Sequence, residues 1–178
     1  MKQIYKWLLR FVGAKLPDPG EWGGRFKWCH KIRNRWARHV SVGISPMANI
    51  SRGAKICGNG EKLIIEQYAS IGINCEVGSD LYIGEHTMMG PNCVILTQNH
   101  YLNIDSYNYD GYVTKEVRIG KNCWIGTNVV ILPGTVIGDN CIVGAGAVLP
   151  GKKYPSYSLI AGNPAVVKKN LKKMNDKI

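Results

Sequence analysis

Four histidines, His30, His39, His86 and His100, are the side chains best suited to moving a proton near neutral pH. An unperturbed imidazole titrates near pH 6.5, so it can take a proton from a hydroxyl and return it within one reaction. His30 and His39 stand in a stretch crowded with Arg and Lys, which predicts a solvated helix surface. His86 falls at an outward position of a short repeat and is expected on the surface. His100 stands where that repeat stops and a polar segment begins. Position alone leaves a surface role and proton transfer both open there.

Six cysteines contain no Cys-x-x-Cys pair. Cys75 and Cys93 are 18 residues apart, as are Cys123 and Cys141, and all four fall on the small position of the repeat. They are expected as buried apolar thiols rather than as metal ligands or disulfides. A zinc site of the three-histidine kind is not spelled out: His86 and His100 are 14 apart, with no third histidine in the repeat. No Ser or Cys is paired in sequence with a base in a way that points to covalent catalysis.

The elements that must position these groups follow from a period of six. Ile71, Val77, Ile83, Met89 and Ile95 form one series; Ile119, Ile125, Ile131, Ile137, Val143 and Leu149 resume it. Gly follows in eight of these eleven cases, where average usage gives less than one. Each hexad reads as one short strand and a corner, the aliphatic residue inward and the Gly supplying the backbone freedom of the bend. Three hexads make a triangular coil of 18 residues, stable only when stacked on its neighbours. Weaker hexads at Ile44, Ile50 and Ile56, then an insertion at Gly58-Asn59-Gly60, put the start near residue 42. Residues 101–116 lack the pattern, yet Ile95 to Ile119 is 24 residues, four hexads. The frame therefore survives, and an excursion loop is expected. Asp105, Tyr107, Tyr109 and Asp110 in it combine aromatic rings with polar groups, as a site for a hydroxyl-rich ligand would, or are ordinary solvated loop.

Residues 1–41 differ from the rest. Ile4, Trp7, Leu8 and Phe11 share one helical face, and a second helix is expected near Arg25–Val40, after Pro17 and Pro19. These helices would cap the open first coil, and the first could also lie on an anionic membrane. Residues 1–40 carry a charge of +8 and 165–178 a charge of +4, while the body between is near neutral. Basic ends suit a membrane surface, an anionic substrate or nucleic acid. No nucleic-acid-binding spacing accompanies them, so nucleic acid is not expected as a partner. No apolar run is long enough to span a bilayer and no cleavage site follows Ile4–Val12, so a cytoplasmic protein is expected, with the inner membrane face as a place for it to work.

Beyond the hexads, the chain carries Met88-Met89-Gly90-Pro91-Asn92, Asn99-His100, Cys123-Trp124-Ile125-Gly126, Ile131-Leu132-Pro133-Gly134, Val143-Gly144-Ala145-Gly146 and Ala161-Gly162-Asn163-Pro164-Ala165. Over about residues 42–169 it resembles the hexapeptide-repeat acyltransferases, in the branch with maltose, galactoside and polysaccharide O-acetyltransferases. The residues themselves predict an N-terminal helical segment 1–41 and a basic, helical tail 166–178. The resemblance implies a left-handed parallel β-helix over 42–165 and a homotrimer with sites between prisms. It implies acetyl-coenzyme A as co-substrate, no metal, and a carbohydrate acceptor in capsule, exopolysaccharide or lipopolysaccharide synthesis. His100 matches the family's catalytic base. Trp124, Thr127, Ala145, Gly162 and Asn163 match segments that border the coenzyme. Lys152 stands in for a coenzyme-contacting lysine two residues late, and Lys168 or Lys169 replaces a basic residue where this chain has Val166. Competing readings are an amino-sugar or antibiotic acceptor, a non-catalytic β-helix scaffold, and a metal enzyme on the same fold.

Overall fold

A period of six with an inward aliphatic residue demands a three-sided coil, and that is what forms. The computed structural model describes residues 1–18, 28–103 and 108–174. The body is a left-handed parallel β-helix of about six coils. Its first face stacks Ile44, Ile65, Ile83, Ile119, Ile137 and Tyr154 in register. The second face stacks Ile50 on Ile71, then Met89, Ile125, Val143 and Ile160. The third stacks Ile56, Val77, Ile95, Ile131 and Leu149. All of these side chains are buried. Each contributes on the order of 1.5–3 kcal/mol, and only because a neighbouring coil covers it.

The glycines serve a different purpose from the one expected. The left-handed backbone of the bends falls three residues after the aliphatic position, on Asn74, His86, Asn92, Asn122, Asn128 and Asn140. Asn tolerates that conformation through local hydrogen bonds of its short side chain. The Gly next to the aliphatic residue is there for space. A Cβ at Gly72 would lie 2.2 Å from the Gly90 carbonyl oxygen, and one at Gly126 would lie 2.6 Å from the Ala145 nitrogen.

Ile119 pairs directly with Ile83, so the intervening segment leaves the prism and returns in frame. It is a β-hairpin rather than an irregular loop, and it starts earlier than residue 101. Gln98–Asn103 pairs antiparallel with Asn108–Thr114. The Lys115 N–H donates to the Thr97 carbonyl at 2.8 Å and closes the neck. Asp105 and Tyr107 lie outside the described residues; Tyr109 and Asp110 lie on the returning strand.

Helix α1 (Lys2–Trp7) continues through a π turn, Leu8–Val12, and a 3-10 turn, Gly13–Lys15. Helix α2 (Trp28–Val40) covers the first coil. Its polar side chains satisfy carbonyls of that open end. Asn34 Nδ2 donates to the Ala48 and Ser45 carbonyls at 2.6 and 3.2 Å, and Arg33 Nε to Ile50 at 2.8 Å. Arg33 is 1% exposed and ion-paired with Asp18. The α1 stripe read from sequence faces outward: Ile4, Trp7 and Phe11 are exposed, while Leu9 and Gly13 are buried and Tyr5 stacks on His39 at 4.1 Å.

The tail also differs from expectation. Ala165–Asn170 is a strand antiparallel to Ser158–Gly162, followed by one 3-10 turn, Leu171–Met174. The edge of the last coil offers unpaired backbone, and β-branched Val166 and Val167 suit a strand. Among the described residues no helix is long and apolar enough to cross a membrane.

Candidate active site

The third face ends in a corner that, coil after coil, carries Cys57-Gly58, Gly78-Ser79 and Leu96-Thr97. The hairpin springs from the third of these. His100 sits on its outgoing strand, exposed, directly opposite Tyr112. Gln98 Nε2 donates to Thr114 Oγ1 at 3.3 Å across the base of the hairpin. The imidazole borders a cavity of about 220 Å³ whose walls include Leu96, Thr97, Ser79, Glu76 and Cys57. It is thus held by a paired strand beside concave space, as a base that must meet an external hydroxyl requires.

Glu76 and Cys57 were not singled out in the sequence. Cys57 occupies the position after Ile56, where most hexads place Gly, and that is the signal that could have found it. Its thiol donates to Glu76 Oε1 at 3.4 Å, and Glu76 also meets Lys55 Nζ at 3.6 Å. Burial, then the Glu76 carboxylate, pushes the Cys57 thiol up. A thiol held protonated is a poorer nucleophile than a thiolate. The interior thiols Cys75, Cys93, Cys123 and Cys141 are free and buried, as read from their spacing.

Most of the expected coenzyme residues gather elsewhere on the prism. Trp124, half-exposed on the second face, is flanked by Met88 and Ile142; Ile142 pairs with Leu159, and Leu159 with Lys169. Thr127, Ala145 and Gly162 follow that face at the same corner of successive coils, with Asn163 beyond Gly162. Thr127 Oγ1 is held by the Pro91 carbonyl at 3.0 Å. Beside Ala145 a Cβ added at Gly146 would meet nothing within 4 Å, so the surface is open at that point. Lys152 stands apart, at the corner after the third face, where its carbonyl accepts from Val136 N–H. Within one chain, His100 and Lys152 therefore share one corner, and the Trp124 group occupies another. Among the described residues no group of three or more His, Cys, Asp or Glu could hold a metal ion.

Residues 116–151 match the family model described as bacterial transferase hexapeptide (six repeats). No curated protein matches the chain in sequence. Solved structures do resemble it. A maltose O-acetyltransferase from Clostridium difficile 630 is 24% identical, with 96% of this chain and 86% of that chain covered and a TM-score of 0.66. The polySia-specific acetyltransferase NeuO is 25% identical over 72% of this chain and 60% of that chain, at 0.57. A hexapeptide-repeat acetyltransferase from Vibrio cholerae O1 biovar eltor, solved with acetyl-coenzyme A, is 20% identical over 96% and 87%, at 0.60.

Proposed function

We propose that this chain, a β-helix bearing the bacterial-transferase hexapeptide repeat, is an acetyl-coenzyme-A-dependent O-acetyltransferase that acts on a sugar hydroxyl with His100 as general base. The observation that carries the reading is the position of His100. Between Ile95 and Ile119 the repeat gives way to a hairpin that returns in frame, and the imidazole on that hairpin borders a cavity. The similarity to acetyltransferases, one of them solved with acetyl-coenzyme A, supports the choice of donor.

Acetyl-coenzyme A would supply an activated thioester. In this reading the surface beside Thr127, Ala145 and Gly162 holds its pantetheine arm, Trp124 and Asn163 flank it, and Lys152 and Lys169 meet its phosphates. His100 accepts the proton of the acceptor hydroxyl while that oxygen attacks the acetyl carbonyl. A backbone N–H at a coil turn stabilises the oxyanion. His100 then gives its proton to the departing thiolate, so the imidazole is regenerated and no acyl-enzyme forms.

The two groups of residues lie on different edges of one prism. A complete site then joins His100 of one copy to the Trp124 strip of another, which is the case for a homotrimer. A mass in solution of one chain would remove that part of the reading. Work at the inner face of a membrane is supported by exposed Ile4, Trp7 and Phe11 beside Lys2, Lys6 and Arg10. Failure to sediment with anionic vesicles would remove that part of the reading.

Two measurements test the central reading. Coenzyme A at about 100 times its Kd should stabilise the folded protein by about 2.7 kcal/mol, seen as a raised melting temperature. An acceptor screen with acetyl-coenzyme A should then release free thiol with a sugar. Absence of both effects would return the chain to a scaffold role.

A further inference from the structure

The concavity at His100 continues beyond Glu76. Cys57, Gly58 and Glu76 line the His100 cavity and also a larger one of about 530 Å³ beneath α1. The two share a wall and form one groove running from the hairpin toward the N-terminal helix. The far lobe has a chemistry of its own. Lys6, Arg10 and Lys55 line it against the single carboxylate of Glu76, together with the exposed rings of Trp7 and Phe11. Lys6 Nζ donates to the Gly58 carbonyl and so ties α1 across the groove. The Arg10 guanidinium stands 5.7 Å from the centre of the Phe11 ring, which is itself 5.5 Å from Trp7.

A sugar hydroxyl at His100 needs no cations at the other end of its groove. Three cations and two aromatic rings suit an anion joined to something apolar or planar. Resting on the acetyltransferase reading above, we propose that the α1 end of this groove is a subsite for a phosphate group carried by the acceptor. Lys6, Arg10 and Lys55 supply its positive charge, and Trp7 and Phe11 the wall for what the phosphate is attached to. The substrate class is therefore a sugar linked through phosphate to a carrier, either a lipid or a nucleoside.

Cys57 is the one exposed cysteine of the six and lies in the shared wall, so its alkylation reports occupancy without turnover. Full-length protein is treated with N-ethylmaleimide alone or with pyrophosphate, uridine diphosphate, farnesyl diphosphate, methyl glucoside or desulfo-coenzyme A, and Cys57 modification is followed by mass spectrometry. Pyrophosphate is expected to slow the reaction about fivefold or more, with the effect weakening as salt rises. Stronger protection by farnesyl diphosphate identifies a lipid carrier; stronger protection by uridine diphosphate identifies a nucleotide; equality of all three confines recognition to the phosphate. Lys6→Gln combined with Arg10→Gln should abolish the protection, and Arg10→Gln alone should weaken it if the double variant does not fold. Protection by phosphate-free methyl glucoside equal to that of pyrophosphate would overturn the proposal, as would protection that survives in the variants; protection by desulfo-coenzyme A stronger than by either acceptor mimic would assign the phosphate subsite to the coenzyme and overturn it too. Thiol release from acetyl-coenzyme A tests the acetyltransferase reading separately, so the two can fail independently.

Discussion

Replacing Gly84 by Ala isolates the contact on which the β-helix depends. A Cβ there would lie 2.6 Å from the Gly120 carbonyl carbon and the Lys121 nitrogen, both backbone atoms that cannot rotate away. Ordinary contact begins near 3.4 Å, so the third and fourth coils must part by about 0.8 Å at that corner. The Gly84 N–H reaches the Ile119 carbonyl at 2.8 Å and the Asn122 N–H reaches Glu85 at 2.9 Å. Stretched by that much, both leave the hydrogen-bonding range. Losing two bonds costs about 1 kcal/mol each, and forcing an extra methyl into a packed site adds about 1–3. The expected destabilisation is about 3–5 kcal/mol. Gly134→Ala is the control. Its φ is +83°, but the nearest atoms to an added Cβ are those of the Lys115 side chain at 3.4 and 3.6 Å, so the cost is backbone strain of about 1–2 kcal/mol. Urea unfolding followed by circular dichroism, at one protein concentration, reads both. If Gly134→Ala proved the more damaging, or Gly84→Ala cost under about 1 kcal/mol, the steric account of these glycines would be wrong.

Arg33→Ala should destabilise by about 2–4 kcal/mol, because it leaves the Ile50 carbonyl without its Nε donor, takes a donor from the Leu16 and Pro17 carbonyls and removes one of the partners of half-buried Asp18, which keeps Arg52; hydrogen exchange should then rise first in the first coil, and a loss under 1 kcal/mol would contradict α2 as its cap. Cys57 alkylation should be slow at pH 8 and still climbing past pH 9, since a raised pKa leaves little thiolate below it. Glu76→Gln removes the negative charge beside the thiol and leaves a weaker amide acceptor, lowers that pKa and should speed alkylation at pH 8 about threefold; slower alkylation would reverse the assignment. Trp124→Ala should raise KM for acetyl-coenzyme A about tenfold with kcat within twofold, and a fall in kcat instead would take Trp124 out of coenzyme binding.

The fold was legible because a solenoid writes its cross-section into the chain every 18 residues. Ile83 and Ile119 could be matched across the hairpin by counting hexads. What the counting missed was local. Three positions after Ile71, Met89, Ile119, Ile125 and Ile137 stands an Asn, and it is there, not at the Gly beside the aliphatic residue, that the backbone turns left-handed. The α1 stripe misled for another reason: amphipathicity says that one face is apolar, not that the face is buried. Tyr5 and Leu9 do the packing, while Ile4, Trp7 and Phe11 remain outside. His100 was legible as the histidine at the break in the repeat. Cys57 was marked only by standing where most hexads place Gly; its meeting with Glu76 was hidden because the insertion at Gly58-Asn59-Gly60 lengthens the coil between them, and Lys6 because its contact with Gly58 joins residues 52 apart. No period in the sequence encodes that meeting.

The most direct measurement is acetyl transfer by His100→Asn, assayed by thiol release with an acceptor found active for the parent protein. The expected result is a fall in kcat of about 10²–10⁴, with the rise in melting temperature on adding coenzyme A unchanged. Activity within about tenfold of the parent would mean that some other group moves the proton.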